Sequence, residues 1–269
     1  MKLAVLVTFK NEADVLPFWL KYMESQVDYF LFRDNQSTDN GAEIVKKHPK
    51  TVFYEKVSGS YECRMYDKLI VEARKLLNSN DWFMIWAPDL FPFFKIKENI
   101  GKANLNGCNC IKTFFPNFFF TLEMYKRYSS DQEYKKRIDN FNISNYSYFL
   151  NTGKNPSMII RNVTDHNNNR VRYLTPKQEP PEIPNKKMYG NSLCVGHYRF
   201  RSPKQIMDRF EIRKKINPNR NSNLSFYHYP TWNWEDYLVP EKKLKKLEGS
   251  IKPKQLSRVK LENIIRSIK

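Results

Sequence analysis

An α/β fold built on a mostly parallel sheet flanked by helices is the class this sequence predicts. Three observations carry the prediction. Short apolar runs recur at Leu3–Thr8, Tyr29–Arg33, Val52–Lys56 and Trp82–Trp86. Stretches with helical spacing separate them, and connections of that length favour right-handed crossovers between parallel strands. Acidic and amide residues follow the first two runs, at the strand ends where open α/β sheets bind ligands.

The first run is unbroken in its apolar character, as expected of a central strand buried on both faces. Val15, Phe18, Trp19 and Tyr22 then fall at i, i+3, i+4 and i+7, and Pro17 must lie in the first turn of that helix or kink it. Thr38-Asp39-Asn40-Gly41 reads as a turn into a helix ending near His48. A longer helix over Glu62–Leu77 places Met65, Leu69 and Ala73 on one face.

Beyond residue 95 the periodicity weakens. Cys110–Phe120 reads as one strand or a pair, Ser129–Tyr148 as a helix followed by a loop, and Ser157–Arg161 and Leu193–Tyr198 as strands. Thr175–Pro184 is a Pro-rich loop. Pro203–Lys215 is a helix with Ser202 as N-cap and Pro203 at its first position. One domain over 1–240 is expected, followed by a basic, weakly amphipathic tail over 241–269.

Composition narrows the function. The chain has 269 residues, 41% of them hydrophobic, enough for a sizeable core. Its net charge of +18 favours an anionic partner, whether a phosphorylated small molecule, an anionic membrane face or nucleic acid. Charge spread broadly without a recognised module argues against nucleic acid. A solvated Lys- and Asn-rich surface accounts for the same charge without any partner. Cys108 and Cys110 form the one close cysteine pair, too few ligands for a zinc site. No apolar run reaches membrane-spanning length. A cytoplasmic protein is expected, peripheral to a membrane at most through its tail. No Gly-x-Gly-x-x-Gly follows the first strand, which argues against an ordinary dinucleotide-binding domain.

The run Val5-Leu6-Val7-Thr8-Phe9-Lys10-Asn11-Glu12, with Leu16 and Trp19-Leu20 after it, resembles the opening of family 2-like glycosyltransferases. Asp34-Asn35-Gln36-Ser37-Thr38-Asp39 resembles the motif that closes their second strand. The resemblance implies a GT-A (Rossmann-like) fold and a nucleotide-sugar donor. It implies a glycan, lipid-linked or protein acceptor. It places Asp34, with Asn35, near the nucleotide base, and Thr8, Lys10, Glu12 and Asp39 close to the nucleotide. Arg64 and Asp67 would face the same cleft. Helix capping is the competing role for Ser37, Thr38 and Asp39.

The family carries an Asp-x-Asp motif after its fourth strand, for the Mn2+ or Mg2+ that bridges the diphosphate. Here the matching stretch is Trp86-Ala87-Pro88-Asp89, with Asp89 the one acid. A single carboxylate is a poor site for a hard cation, which leaves metal-independent chemistry open, with Lys10, Arg64 or Lys68 offsetting charge. A catalytically degenerate, nucleotide- or partner-binding protein is the alternative. Val195-Gly196-His197-Tyr198 resembles a later landmark, implying that His197 completes the metal or diphosphate site. Asn151-Thr152-Gly153-Lys154 and His166 carry a weaker likeness. Asp165, Glu123 and Asp131 are each in the right portion for a catalytic base, and spacing selects none of them. Tyr227-His228-Tyr229 and Trp232-Asn233-Trp234 form an aromatic cluster open to an acceptor-platform or a core-packing role.

Overall fold

A computed structural model describes residues 1–58, 65–150, 157–162, 183, 185–216 and 233–248. In chain order the first elements are β1 (Leu3–Phe9), α1 (Leu16–Met23), β2 (Tyr29–Asp34), α2 (Gly41–Lys47) and β3 (Thr51–Lys56). Then come α3 (Met65–Arg74), β4 (Trp82–Trp86), β5 (Leu90–Pro92), α4 (Ile96–Leu105), β6 (Cys110–Phe114) and β7 (Asn117–Phe119). The later elements are α5 (Leu122–Ser130), α6 (Gln132–Asp139), β8 (Tyr148–Leu150), β9 (Ser157–Arg161), β10 (Met188–Phe200), α7 (Pro203–Ile216) and β11 (Lys245–Lys246). Within the stretch expected as one domain the chain clusters into two compact units. The first holds Met1–Phe114 and Lys154–Val195, the second Phe115–Gly153 and Gly196–Lys269.

In the first unit the sheet runs β3-β2-β1-β4-β9-β6-β10. The pairs β1–β2, β1–β4, β2–β3 and β6–β10 are parallel, and β9 is antiparallel to both neighbours. The unit is thus a mixed α/β layer with a mostly parallel sheet, as the alternating pattern predicted. Every residue of β1 is buried. One face of the sheet, with Ala4, Leu6, Leu31, Phe83 and Ile85, packs under Tyr66, Leu69, Ile70 and Ala73 of α3. The other face carries Phe30 and Phe32, whose rings lie 5.4 and 6.4 Å from Trp19 of α1. Pro17 sits at the start of α1, where its missing N–H is harmless. The expected long helix is described from Met65, and its first residues lie outside the described set.

α4 was not anticipated. Its Ile96, Ile100 and Ala103 are buried at i, i+4 and i+7, but Lys and Asn residues dilute the signal between them. The 110–120 stretch resolves as two strands, β6 and β7. The helical expectation over 129–148 becomes two helices, with α5 starting earlier at Leu122 and Thr121 and Asp131 as caps.

The second unit has its own sheet, β11-β8-β7 with the Gly196–Phe200 half of β10. His197 pairs with Asn117 and Phe200 with Phe119 in parallel, while β8 is antiparallel to β7 and β11. Its core gathers Phe119, Leu150, Phe200, Ile206, Phe210, Tyr237 and Val239. Ser202 caps α7 as predicted, its Oγ accepting the Gln205 N–H at 3.2 Å. Of residues 241–248, assigned to the tail, Lys245 and Lys246 form β11 and join this sheet, with Lys245 opposite Phe149. The rest of the tail and the 227–232 part of the aromatic cluster lie outside the described residues, as does most of the Pro-rich loop. Among the described residues no helix is long and apolar enough to cross a membrane.

Candidate functional site

The strand order of the first unit creates a switch point. From β1 the chain moves through β2 to β3 on one side, then returns to place β4 on the other. Ligand crevices in open α/β sheets form at the carboxyl ends of strands that diverge in this way. At the carboxyl ends of β1 and β4, Tyr66 of α3 ties the two strands. Its hydroxyl accepts from Thr8 Oγ1 at 2.9 Å and donates to the Trp86 carbonyl at 3.2 Å. Thr8, expected near a nucleotide, is buried and commits its proton to this tie.

The loops leaving β1 and β2 are bound to each other. Asn11 and Gln36 both adopt left-handed backbone, at φ 53° and 59°. Asn tolerates that region better than most residues, whereas Gln has no such preference, so the second turn carries strain. The Asn11 N–H donates to Ser37 Oγ at 3.0 Å, and its side-chain Oδ1 accepts the Thr38 N–H at 2.8 Å. Asp39 Oδ2 accepts the Ala13 N–H at 2.9 Å and its Oδ1 the Gly41 N–H at 3.1 Å. Asp39 therefore staples the first loop to the start of α2. The capping-like role competes directly with ligand contact for its lone pairs.

Asp34 is completely buried. Its Oδ1 accepts the Ser37 N–H at 2.7 Å and its Oδ2 accepts the Tyr54 hydroxyl at 3.0 Å. Burial first, then this carboxylate, pushes the Tyr54 phenol up to about 12. Asn35 follows, 5% exposed, with its N–H on the Phe9 carbonyl at 2.8 Å. Its side-chain oxygen is buried with no hydrogen-bond partner among the described residues. A buried acceptor left unpaired costs about 1–3 kcal/mol, so either an ordered water or a ligand donor fills this place. Glu12 is buried as well, and its carbonyl opens α1 by accepting the Val15 and Leu16 N–H groups at 3.1 and 3.0 Å.

The structure gathers Thr8, Lys10, Glu12, Asp34, Asn35 and Asp39 at the ends of two adjacent strands. Lys10 is half-buried there, and Asp67 is half-buried on the first turn of α3. Arg64 lies outside the described residues, with His166, Asp165 and the 151–154 stretch. Lys68 is taken up by an ion pair with Glu72 at 2.8 Å.

The end of β4 and the turn after it are largely apolar. Trp86 is wholly buried and its indole N–H donates to the Leu90 carbonyl at 2.9 Å, the same oxygen that Trp19 reaches at 3.1 Å. A carboxylate at this position would face an apolar, already bonded interior. Asp89 is buried at 4% exposure and is the turn's one acid. Among the described residues no group of three or more His, Cys, Asp or Glu could hold a metal ion. The donor set of this turn does not fit Mn2+ or Mg2+, which prefer several oxygens.

In the second unit His197 lies in β10, its ring edge-on to Phe115 at 6.3 Å and its N–H on the Pro116 carbonyl at 2.9 Å. Two of the base candidates have structural duties. Glu123 Oε2 accepts the Glu241 N–H at 2.9 Å. Asp131 caps α6 by accepting the Tyr134 N–H at 2.9 Å, which, with Arg127 3.2 Å away, lowers its carboxyl below the usual range. Sequence reasoning missed Tyr54, Tyr66 and Asn11, the groups that bind the strand ends together. Asn11 carried a signal, since it is the one Asn at the end of β1, while the tyrosines come from distant elements.

No known protein family and no curated protein matches this chain. Among solved structures, the crystal structure of HddC from Yersinia pseudotuberculosis is similar at 9% identity, with a TM-score of 0.35, covering 81% of this chain and 100% of that one.

Proposed function

We propose that the chain is a glycosyltransferase of GT-A type, moving a sugar from a nucleotide-diphosphate donor to a glycan, lipid-linked or protein acceptor. The observation that carries the reading is the unpaired, buried carboxamide oxygen of Asn35 beside the buried Asp34 carboxylate, at the carboxyl end of β2. A nucleobase presents ring and exocyclic N–H groups to such acceptors. The mostly parallel sheet and the switch point support the fold assignment.

In the reaction an acceptor oxygen attacks the anomeric carbon as the bond from that carbon to the diphosphate oxygen breaks. The nucleoside diphosphate leaves with the electron pair, and the acceptor proton passes to a carboxylate base. The residues at hand would bind and orient: Asn35 the base, Lys10 the phosphate charge. Tail residues beyond the second unit's sheet would add contact with an anionic membrane.

A second reading has its own observation. Trp86 or Ala87 stands where the resemblance would put the first metal-binding acid, and Trp86 is locked by a hydrogen bond, which favours a protein that binds a nucleotide or partner without turnover.

Thermal unfolding with UDP, GDP, CDP and dTDP, each with Mn2+, Mg2+ or EDTA, tests both. A stabilising shift with one nucleotide, reduced about tenfold in affinity by Asn35→Ala, is expected. Binding without sugar transfer or donor hydrolysis selects the nucleotide-binding form of the second reading, and no shift with any nucleotide refutes the transferase and leaves the partner-binding form.

A further inference from the structure

The second unit carries a cleft of its own, of about 570 Å3, between α5, α6, α7 and the 3-10 turn Trp234–Tyr237. That size falls in the roughly 300–1,000 Å3 range of small-molecule sites. Its walls include Tyr125, Tyr128 and Trp234. Tyr125 and Trp234 stand nearly perpendicular, at 78° with centroids 5.3 Å apart, so together they make a corner of two aromatic surfaces. Trp234 is only partly buried and rests its inner side on the unit's core.

The rings are held in place. The Tyr128 hydroxyl donates to Asp139 Oδ1 at 2.9 Å, and its ring meets Phe120 edge-on at 5.8 Å. Lys135 lies over the Tyr128 ring at 5.5 Å. Gln132 lines the rim beside these groups and is exposed. The rim therefore offers an amide, an ammonium and a carboxylate, with both charge signs present. Its second lysine, Lys204, is paired with Asp208 at 2.7 Å. A single-sign phosphate or nucleic-acid groove has no such balance.

We infer that this cleft binds a neutral oligosaccharide. A pyranose ring has one apolar C–H face, which lies on an aromatic plane, and an equatorial belt of hydroxyls, each both donor and acceptor. Aromatic walls meeting at a corner take the C–H faces of adjacent residues. Gln132, Lys135 and Asp139 together supply the donors and acceptors that the hydroxyls need. The site is built from the second unit alone. It would serve the acceptor of the proposed transferase, but binding here does not depend on that activity.

The test is binding of the full-length chain to an array of neutral oligosaccharides, followed by solution titration of the tightest one, read by tryptophan fluorescence. Retention of at least one neutral oligosaccharide is expected, weakened tenfold or more by Trp234→Ala and about threefold by Gln132→Ala. Because Trp234 also touches the core, its variant is checked by thermal unfolding. If it unfolds, Gln132→Ala and Lys135→Ala, both at exposed positions, decide the matter. No retained neutral oligosaccharide, retention of anionic glycans alone, or affinity unchanged in these variants overturns the inference. Nucleotide binding is measured on the same variants, so a failed donor site and a failed saccharide site give different results.

Discussion

The strand ends of the first unit and the α5–α6 face of the second place polar groups in opposite ways. At the strand ends of the first unit, Asp34, Ser37, Tyr54 and Asp39 are spent on each other and on backbone N–H groups, in a buried or half-buried network. On α5 and α6 of the second, the exposed Arg127 and Arg137 cover the ring of the buried Tyr134 at 4.4 and 4.8 Å, and the exposed Lys135 lies over Tyr128. A buried network is energetically stiff, because an unpaired member cannot turn to water. A surface stack exchanges protein contacts for water at little net change. The first arrangement suits a site whose shape must be set before a ligand arrives, and the second a surface that adapts to one.

Breaking the buried network should show the larger effect. Asp34→Ala strands the Ser37 N–H and the Tyr54 hydroxyl, and we expect a loss of about 3 kcal/mol in chemical unfolding. Asp34→Asn, which keeps the shape and one acceptor, should lose less. A loss below about 1 kcal/mol for Asp34→Ala would show that the network relaxes like a surface one.

The helix cap of the second unit is intermediate. Asp131→Ala removes the acceptor for the Tyr134 N–H and should lower stability by less than Asp34→Ala does. The carboxyl is depressed in the folded chain, so its contribution is present above its ordinary value and disappears as pH falls through the lowered one. An acid titration of wild type against Asp131→Ala reads this, and parallel curves would remove the assignment.

Alkaline titration compares the units directly. Tyr54 and Tyr128 are both raised to about 12, by burial first and then by Asp34 and Asp139. A raised folded value gives stability that is complete below pH 10 and declines as pH rises toward 12. Tyr54→Phe and Tyr128→Phe should each flatten part of that decline, and absorbance at the phenolate band locates the titrations. Ionisation of either tyrosine near pH 10 would mean that both its burial and its carboxylate contact are absent in solution.

The smallest change is expected at the rim. Lys204→Ala breaks an exposed ion pair with Asp208 and should shift stability by less than about 0.5 kcal/mol. A larger loss would show that α7 relies on its surface charges.

The four alternating strands and three helices up to residue 86 were legible because each carries its own periodicity: β1 is apolar at every position, and α1 repeats at helical spacing. α4 was obscured because three buried residues were diluted by Lys and Asn. The candidate site was legible in composition but not in bonding. Asp34 and Asn35 stood out as the acid and amide ending a strand, yet nothing in the local pattern tells that one is fully paired and the other is not. Tyr54 and Tyr66 reach the site from β3 and α3, 20 and 58 residues from their partners Asp34 and Thr8.

Local periodicity and capping chemistry were enough to specify the class of the fold, the alternation of strands and helices up to residue 86 and the start of α7 at Ser202, because these depend on neighbours within a few residues. The antiparallel insertion of β9 between β4 and β6 depends on contacts across the chain. The same holds for the tie from Tyr66 to β1 and β4, the burial of Trp86 and the corner of Tyr125 against Trp234. Hydrogen bonding and ring packing are short-range in space. Which residues share them is set by how the chain returns to itself, and no window of sequence contains that information.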